Sequence, residues 1–71
     1  MTIRINTKPF RHQHGMSQRT LGDKVGVISN TVYCWERGRT LPDLRQLVRL
    51  ADEFGCSLDE LVVVDERAPT G

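Results

Sequence analysis

The sequence predicts an all-α domain: a compact bundle of five short helices, with a short strand at each end of the chain available to pair. Three observations predict it. Apolar residues recur at helical spacing between glycines placed to end one helix after another, at Gly15, Gly26, Gly38 and Gly55. Side chains able to cap a helix start, Ser17, Asp43 and Ser57, stand ahead of three of those stretches. The alternating or β-branched runs TIRIN and VVVD lie at opposite ends. Seventy-one residues are at the small end of what folds alone, so every amphipathic helix must feed one core. We expect a single domain over 1–66 and a flexible tail over 67–71.

In TIRIN, Ile3 and Ile5 fall on one side of a short strand. The competing reading is a frayed end carrying two apolar residues. Thr7 then caps a short first helix, with Pro9 tolerated in its first turn, Phe10 as its main core residue and its end near Gly15. Ser17 caps the second helix, and Met16 and Leu21 have the spacing of a hydrophobic staple. Leu21 and Val25 share its inner face, and Gly26 stops it. Gly22, at about 1 kcal/mol less favourable than alanine in a helix, leaves room for a second helix to cross at close range.

In the third helix Ile28, Val32 and Trp35 stand at i, i+4 and i+7 and form a buried stripe. Ser29, Asn30, Tyr33 and Arg37 then lie on the opposite face. That face carries no acid and offers short hydrogen-bonding groups, an aromatic hydroxyl and a guanidinium, which suits the floor and phosphate walls of a DNA major groove. Gly38 supplies the left-handed residue after the last turn. Ile28 stands where a capping side chain is expected, a lack worth about 1 kcal/mol. Either Ser29 caps one residue later, or packing by Ile28 offsets the loss.

Residues 39–42 form the next loop. Asp43 caps a fourth helix whose Leu44, Leu47, Val48, Ala51 and Phe54 read as its core face, while Arg45, Arg49, Asp52 and Glu53 read as solvated. The S-L-D-E run from Ser57 to Glu60 is a capping box, starting a short fifth helix that turns Leu58, Leu61 and Val62 inward. A strand from Val62 to Asp65 follows, available to pair with TIRIN.

Charge is split along the chain behind a net +1. Residues 1–40 hold seven Lys or Arg and two acids, +5, whereas 41–71 hold three and seven, −4. The basic half contains the second and third helices, as expected of a surface that meets phosphates. Cys34 and Cys56 have no metal or redox spacing and read as free thiols; His12 and His14 read as a solvated helix end, and no metal or cofactor is called for. No apolar run spans a bilayer and no cleavable signal pattern opens the chain, which points to a cytoplasmic protein with no membrane partner.

The run GMSQRTLGDKVGVISNTVYCWERGRTLPDLRQLVRLADEFGCSLDELV resembles the helix-turn-helix domain of the phage repressor and Cro (XRE) family without a gap. Its landmarks are SQ at the second helix, the small residue Gly22, GV at the turn, WERG at the end of the third helix, and the later P-D-L, L-A and G-x-S-L-D-E-L elements. The resemblance implies a lambda-repressor-like bundle of about five helices, with the helix-turn-helix over 17–37 and a recognition helix at about 28–37 in the major groove. By matching position, Ser29, Asn30, Tyr33 and Cys34 would read bases. Gln18 would hold a phosphate and lean on Ser29, while Thr31, Arg37 and Arg39 would meet the backbone. Arg11 and Glu36 would form a buried ion pair tying the first helix to the third.

The expected function is sequence-specific, non-catalytic binding of double-stranded DNA by a small, repressor-like regulator. Two alternatives are a helix-turn-helix used as scaffold or adaptor, and an antitoxin-type protein that also clamps a protein partner. An enzyme is disfavoured because no nucleophile, base and oxyanion set occurs at usable spacing. Half-site reading by paired helices, together with strands too short to stand alone, leads us to expect a homodimer joined through the terminal strands.

Overall fold

The two ends of the chain meet in a two-stranded antiparallel ribbon that closes the helical body. The structure, a computed structural model, describes residues 2–65. The end of the domain expected at residue 66 and the tail expected over 67–71 lie outside the described residues. In chain order the elements are β1 (Thr2–Ile5), α1 (Thr7–Gln13), α2 (Gln18–Val25), α3 (Ser29–Glu36), α4 (Leu44–Phe54), α5 (Leu58–Leu61) and β2 (Val62–Asp65). The predicted five-helix architecture with paired terminal strands is borne out.

β1 and β2 pair with Ile5 opposite Val62 and Ile3 opposite Val64. Alternation puts these four on one face of the ribbon. Ile5 is buried in the core and Val62 packs against it, whereas Ile3 and Val64 extend past the body and are exposed. The Asn6 N–H donates to the Leu61 carbonyl at 2.7 Å, carrying the pairing into the start of α1.

The core gathers Ile5, Leu21, Val25, Val32, Trp35, Leu50, Phe54 and Leu61, with Phe10, Met16, Val27, Leu47, Ala51, Cys56 and Val62 packed around it. Most caps form as predicted. The Ser17 hydroxyl accepts from Thr20 N–H, and Gly26 and Gly55 end α2 and α4 in the left-handed conformation. Asp43 and Gln46 form a capping box at α4, and Ser57 and Glu60 form one at α5. Each satisfies backbone donors that a helix start leaves open.

Five expectations are corrected. Thr7 is not a cap: Asn6 occupies that place without a side-chain bond, and Thr7 is buried inside the helix. Phe10 is only half-buried, stacking on Phe54 with ring centroids 5.4 Å apart, while Thr7 and Arg11 are the buried residues of α1. Ile28 leaves the expected buried stripe and stands 69% exposed, because as the N-cap it has extended backbone and precedes the helical period. In α4, Leu44 and Val48 point outward and Leu50 takes the core position, since the inner face follows Leu47, Leu50, Ala51 and Phe54. Leu58 is 39% exposed at the start of α5, and Leu61 alone in that helix is buried.

Candidate nucleic-acid interface

The turn between α2 and α3 is set by two glycines with different tasks. Gly26 takes φ +81° and donates to the Gly22 carbonyl at 2.8 Å, and Val27 N–H shares that acceptor at 2.8 Å. Gly22 is needed for space rather than for torsion. A Cβ there would lie 2.5 Å from the Val27 carbonyl oxygen and 3.3 Å from the Ile28 carbonyl carbon. The close approach predicted at Gly22 is therefore to the backbone of the turn, at Val27 and at Ile28, the N-cap of the next helix.

α3 continues from there with Val32 and Trp35 in the core. Ser29, Asn30, Tyr33 and Arg37 are exposed, and Thr31 and Cys34 are half-buried at the edges of that face. Asn30 Nδ2 lies 3.9 Å from Cys34 Sγ, one helical turn away. The Arg37 guanidinium sits 5.8 Å from the Tyr33 ring centroid, within cation–π range, which holds both side chains on the outer surface. At the C-terminal end Gly38 (φ +73°) donates to the Trp35 carbonyl and Arg39 N–H to the Cys34 carbonyl at 2.9 Å, the paired bonds of a Schellman end. Arg37 and Arg39 are thus exposed just past the helix.

The one acid of α3 is turned inward. Glu36 Oε2 accepts from Arg11 Nε at 2.8 Å and from the Thr7 hydroxyl at 3.2 Å, and Oε1 accepts from Arg11 Nη2 at 3.1 Å and Gln18 Nε2 at 3.1 Å. The Arg11 Nη1 donates to the Met16 carbonyl at 3.0 Å. One carboxylate therefore joins α1, α2 and α3. Burial pushes the Glu36 carboxyl up, but hydrogen bonds from Arg11, Gln18 and Thr7, with the Arg11 charge, outweigh it and hold the group below the ordinary glutamate value.

Of the residues singled out in the sequence, Ser29, Asn30, Thr31, Tyr33 and Cys34 share α3, with Arg37 and Arg39 following it, and Arg11 and Glu36 form an ion pair. Gln18 is placed on Glu36. Thr7 joins this cluster, which its cap chemistry alone does not indicate. Its spacing of four from Arg11 is the signal that puts both on one helix face. Exposed Ile28 was missed at the N-terminal end of the outer surface, where its lack of capping chemistry was the visible sign.

Cys34 and Cys56 are free thiols, and burial followed by the nearby Glu60 charge pushes Cys56 up. Among the described residues no group of three His, Cys, Asp or Glu gathers as a metal ion requires, and no helix is long and apolar enough to cross a membrane.

Residues 10–61 match the helix-turn-helix family HTH_3. The chain is 33% identical over 64 residues to an uncharacterized HTH-type transcriptional regulator of Archaeoglobus fulgidus, covering 90% of this chain and 91% of that protein. It is 28% identical to the uncharacterized HTH-type transcriptional regulator YgzD of Bacillus subtilis, covering 90% and 97%. The crystal structure of a transcriptional regulator from Listeria innocua superposes with a TM-score of 0.79 at 30% identity, covering 97% of this chain and 67% of that one. With its two helices, glycine turn and outward third helix, the chain belongs to the helix-turn-helix family of the phage repressor and Cro (XRE) type.

Proposed function

We propose that the chain is a sequence-specific, repressor-like transcriptional regulator that lays α3 in the major groove of double-stranded DNA and catalyses no reaction. The observation that carries this reading is the chemistry of the outer surface of α3. Its single acid, Glu36, is bound inward by three side chains, so the exposed Ser29, Asn30, Tyr33 and Arg37 meet DNA without an opposing negative charge. Ser29, Asn30, Tyr33 and Cys34 read base edges; Gln18, Thr31, Arg37 and Arg39 hold the backbone. Gln18 does so from a side chain steadied by Glu36. The relatives named as transcriptional regulators support the same reading.

Two half-sites are read by a homodimer. The ribbon supports a contact between copies, because its edges are open and its apolar face continues beyond the core as Ile3 and Val64. Sedimentation at high concentration, with and without DNA, tests this, and a monomer in both conditions removes the dimer.

Selection of bound sites from random duplexes supplies the test of DNA reading. On the selected site Asn30→Ala should weaken binding by about 1 to 3 kcal/mol and leave random DNA nearly unaffected. An equal loss on both means that Asn30 reads no base.

A further inference from the structure

Among the described residues, an apolar stripe on α4 takes part in neither the reading surface nor the ribbon. Leu41, Leu44 and Val48 are 52%, 70% and 52% exposed, and Leu44 and Val48 stand one turn apart on the outside of α4. This is the longest helix of the described residues, fixed at its start by the Asp43–Gln46 capping box and at its end by Gly55. Its outer stripe is a rigid platform.

We infer that α4 carries a second two-fold contact between copies of this chain, in which two α4 stripes dock antiparallel around Val48. Charge selects this occupant. The outer surface is basic in its N-terminal half, at Arg45 and Arg49, and acidic in its C-terminal half, at Asp52, with Glu53 half-buried beside it. A parallel copy would set like charges together, whereas an antiparallel copy sets each Arg45 against the Asp52 of the other. Arg49 donates to the Lys24 carbonyl at 2.8 Å within its own protomer, so the charge pairing falls to Arg45 and Asp52. The same register places Val48 on Val48 of the second copy and Leu44 over the small, half-buried Ala51. A stripe one helix long, about 16 Å, is short of a standard interface of about 800 Å² per partner. The contact is therefore weak by itself and forms at high protein concentration, or between neighbouring copies that the ribbon does not join, lined up side by side on DNA, where effective concentration is high. It stands on the surface of α4 and does not depend on the DNA reading.

The test is disulfide trapping of the full chain free of DNA. Val48→Cys is made with Cys34 and Cys56 left in place, oxidised mildly at high concentration, and the linked peptides are identified by mass. We expect a link between the two introduced thiols to form at least about tenfold faster than one in an Asp59→Cys control on exposed α5. Adding Arg45→Asp, or separately Asp52→Arg, should abolish the gain, and mixing the two charge variants should restore it, because each then meets its opposite. The same pattern should persist with Ile3→Lys in the ribbon. A rate equal to the control, or no restoration on mixing, overturns the contact, including the case in which a different protein covers this stripe.

Discussion

Glu36→Gln should cost the domain about 3 kcal/mol, a large share of what holds it folded. Four hydrogen bonds at 2.8 to 3.2 Å end on this carboxylate. The glutamine amide keeps the shape but retains one oxygen and turns an NH₂ towards groups that are themselves donors. The Arg11 guanidinium then keeps its charge and its buried position, with the Met16 carbonyl and at most one amide oxygen where it had two carboxylate oxygens. Stranding one partner of a buried pair costs about 3 to 5 kcal/mol, and the lower end applies because this pair lies at the margin of the core. For a domain of this size the loss corresponds to melting roughly 12 to 24 °C lower. Denaturant and thermal unfolding of Glu36→Gln, Arg11→Met and the double variant give the coupling. The double variant should be no worse than the worse single one; strictly additive losses, or a single loss below about 1 kcal/mol, would refute the account. Acid supplies a second readout. Glu36 is held below its unfolded value, so its contribution is complete at neutral pH and is lost as pH falls from the ordinary value near 4.5 through the lower folded one. Glu36→Gln should lack that part of the acid profile.

Ile28→Ser should stabilise the domain by about 1 kcal/mol, because the N-cap of α3 has no side-chain acceptor and the isoleucine it replaces is largely exposed; an unchanged denaturation midpoint would mean that Ile28 contributes packing equal to a cap. Gly22→Ala should destabilise by about 1 to 3 kcal/mol despite its better helix propensity, since the new methyl meets the Val27 carbonyl, which is backbone and cannot rotate away. A variant as stable as the parent would show that the turn shifts freely.

Helix ends were the most legible part of the sequence. Ser17, Asp43 and Ser57 each precede a helix and bond its third residue, and Gly26, Gly38 and Gly55 all adopt positive φ. These signals are local, so they survive without knowledge of the fold. The α1 start departs from its local signal for the same reason. Thr7 has cap chemistry, but its hydroxyl is drawn to Glu36, 29 residues away, and only the assembled bundle brings the two together. Periodicity does not single out Leu50 because α4 carries apolar residues at 44, 47, 48, 50, 51 and 54, which is too many for one face, and choosing among them needs the positions of α2 and α5.

The misplaced apolar residues are informative together. Periodicity places Ile28, Leu44 and Val48 in the core, and each is more than half exposed. A sequence that specifies one fold normally agrees with it at every level, and departures concentrate where a surface has another task. Ile28 lies at the N-terminal end of the proposed reading helix, where a cap would add stability and an exposed branched side chain stands instead. Leu44 and Val48 lie on a well-capped helix whose charges are arranged to match a reversed copy of itself. At both places apolar area stands exposed beside polar or charged groups, the composition of a surface that meets a partner. The inward network around Glu36 is the counterpart. It fixes α1, α2 and α3 through one carboxylate, removing negative charge from the outer side of α3 while holding that helix at a set angle to the body.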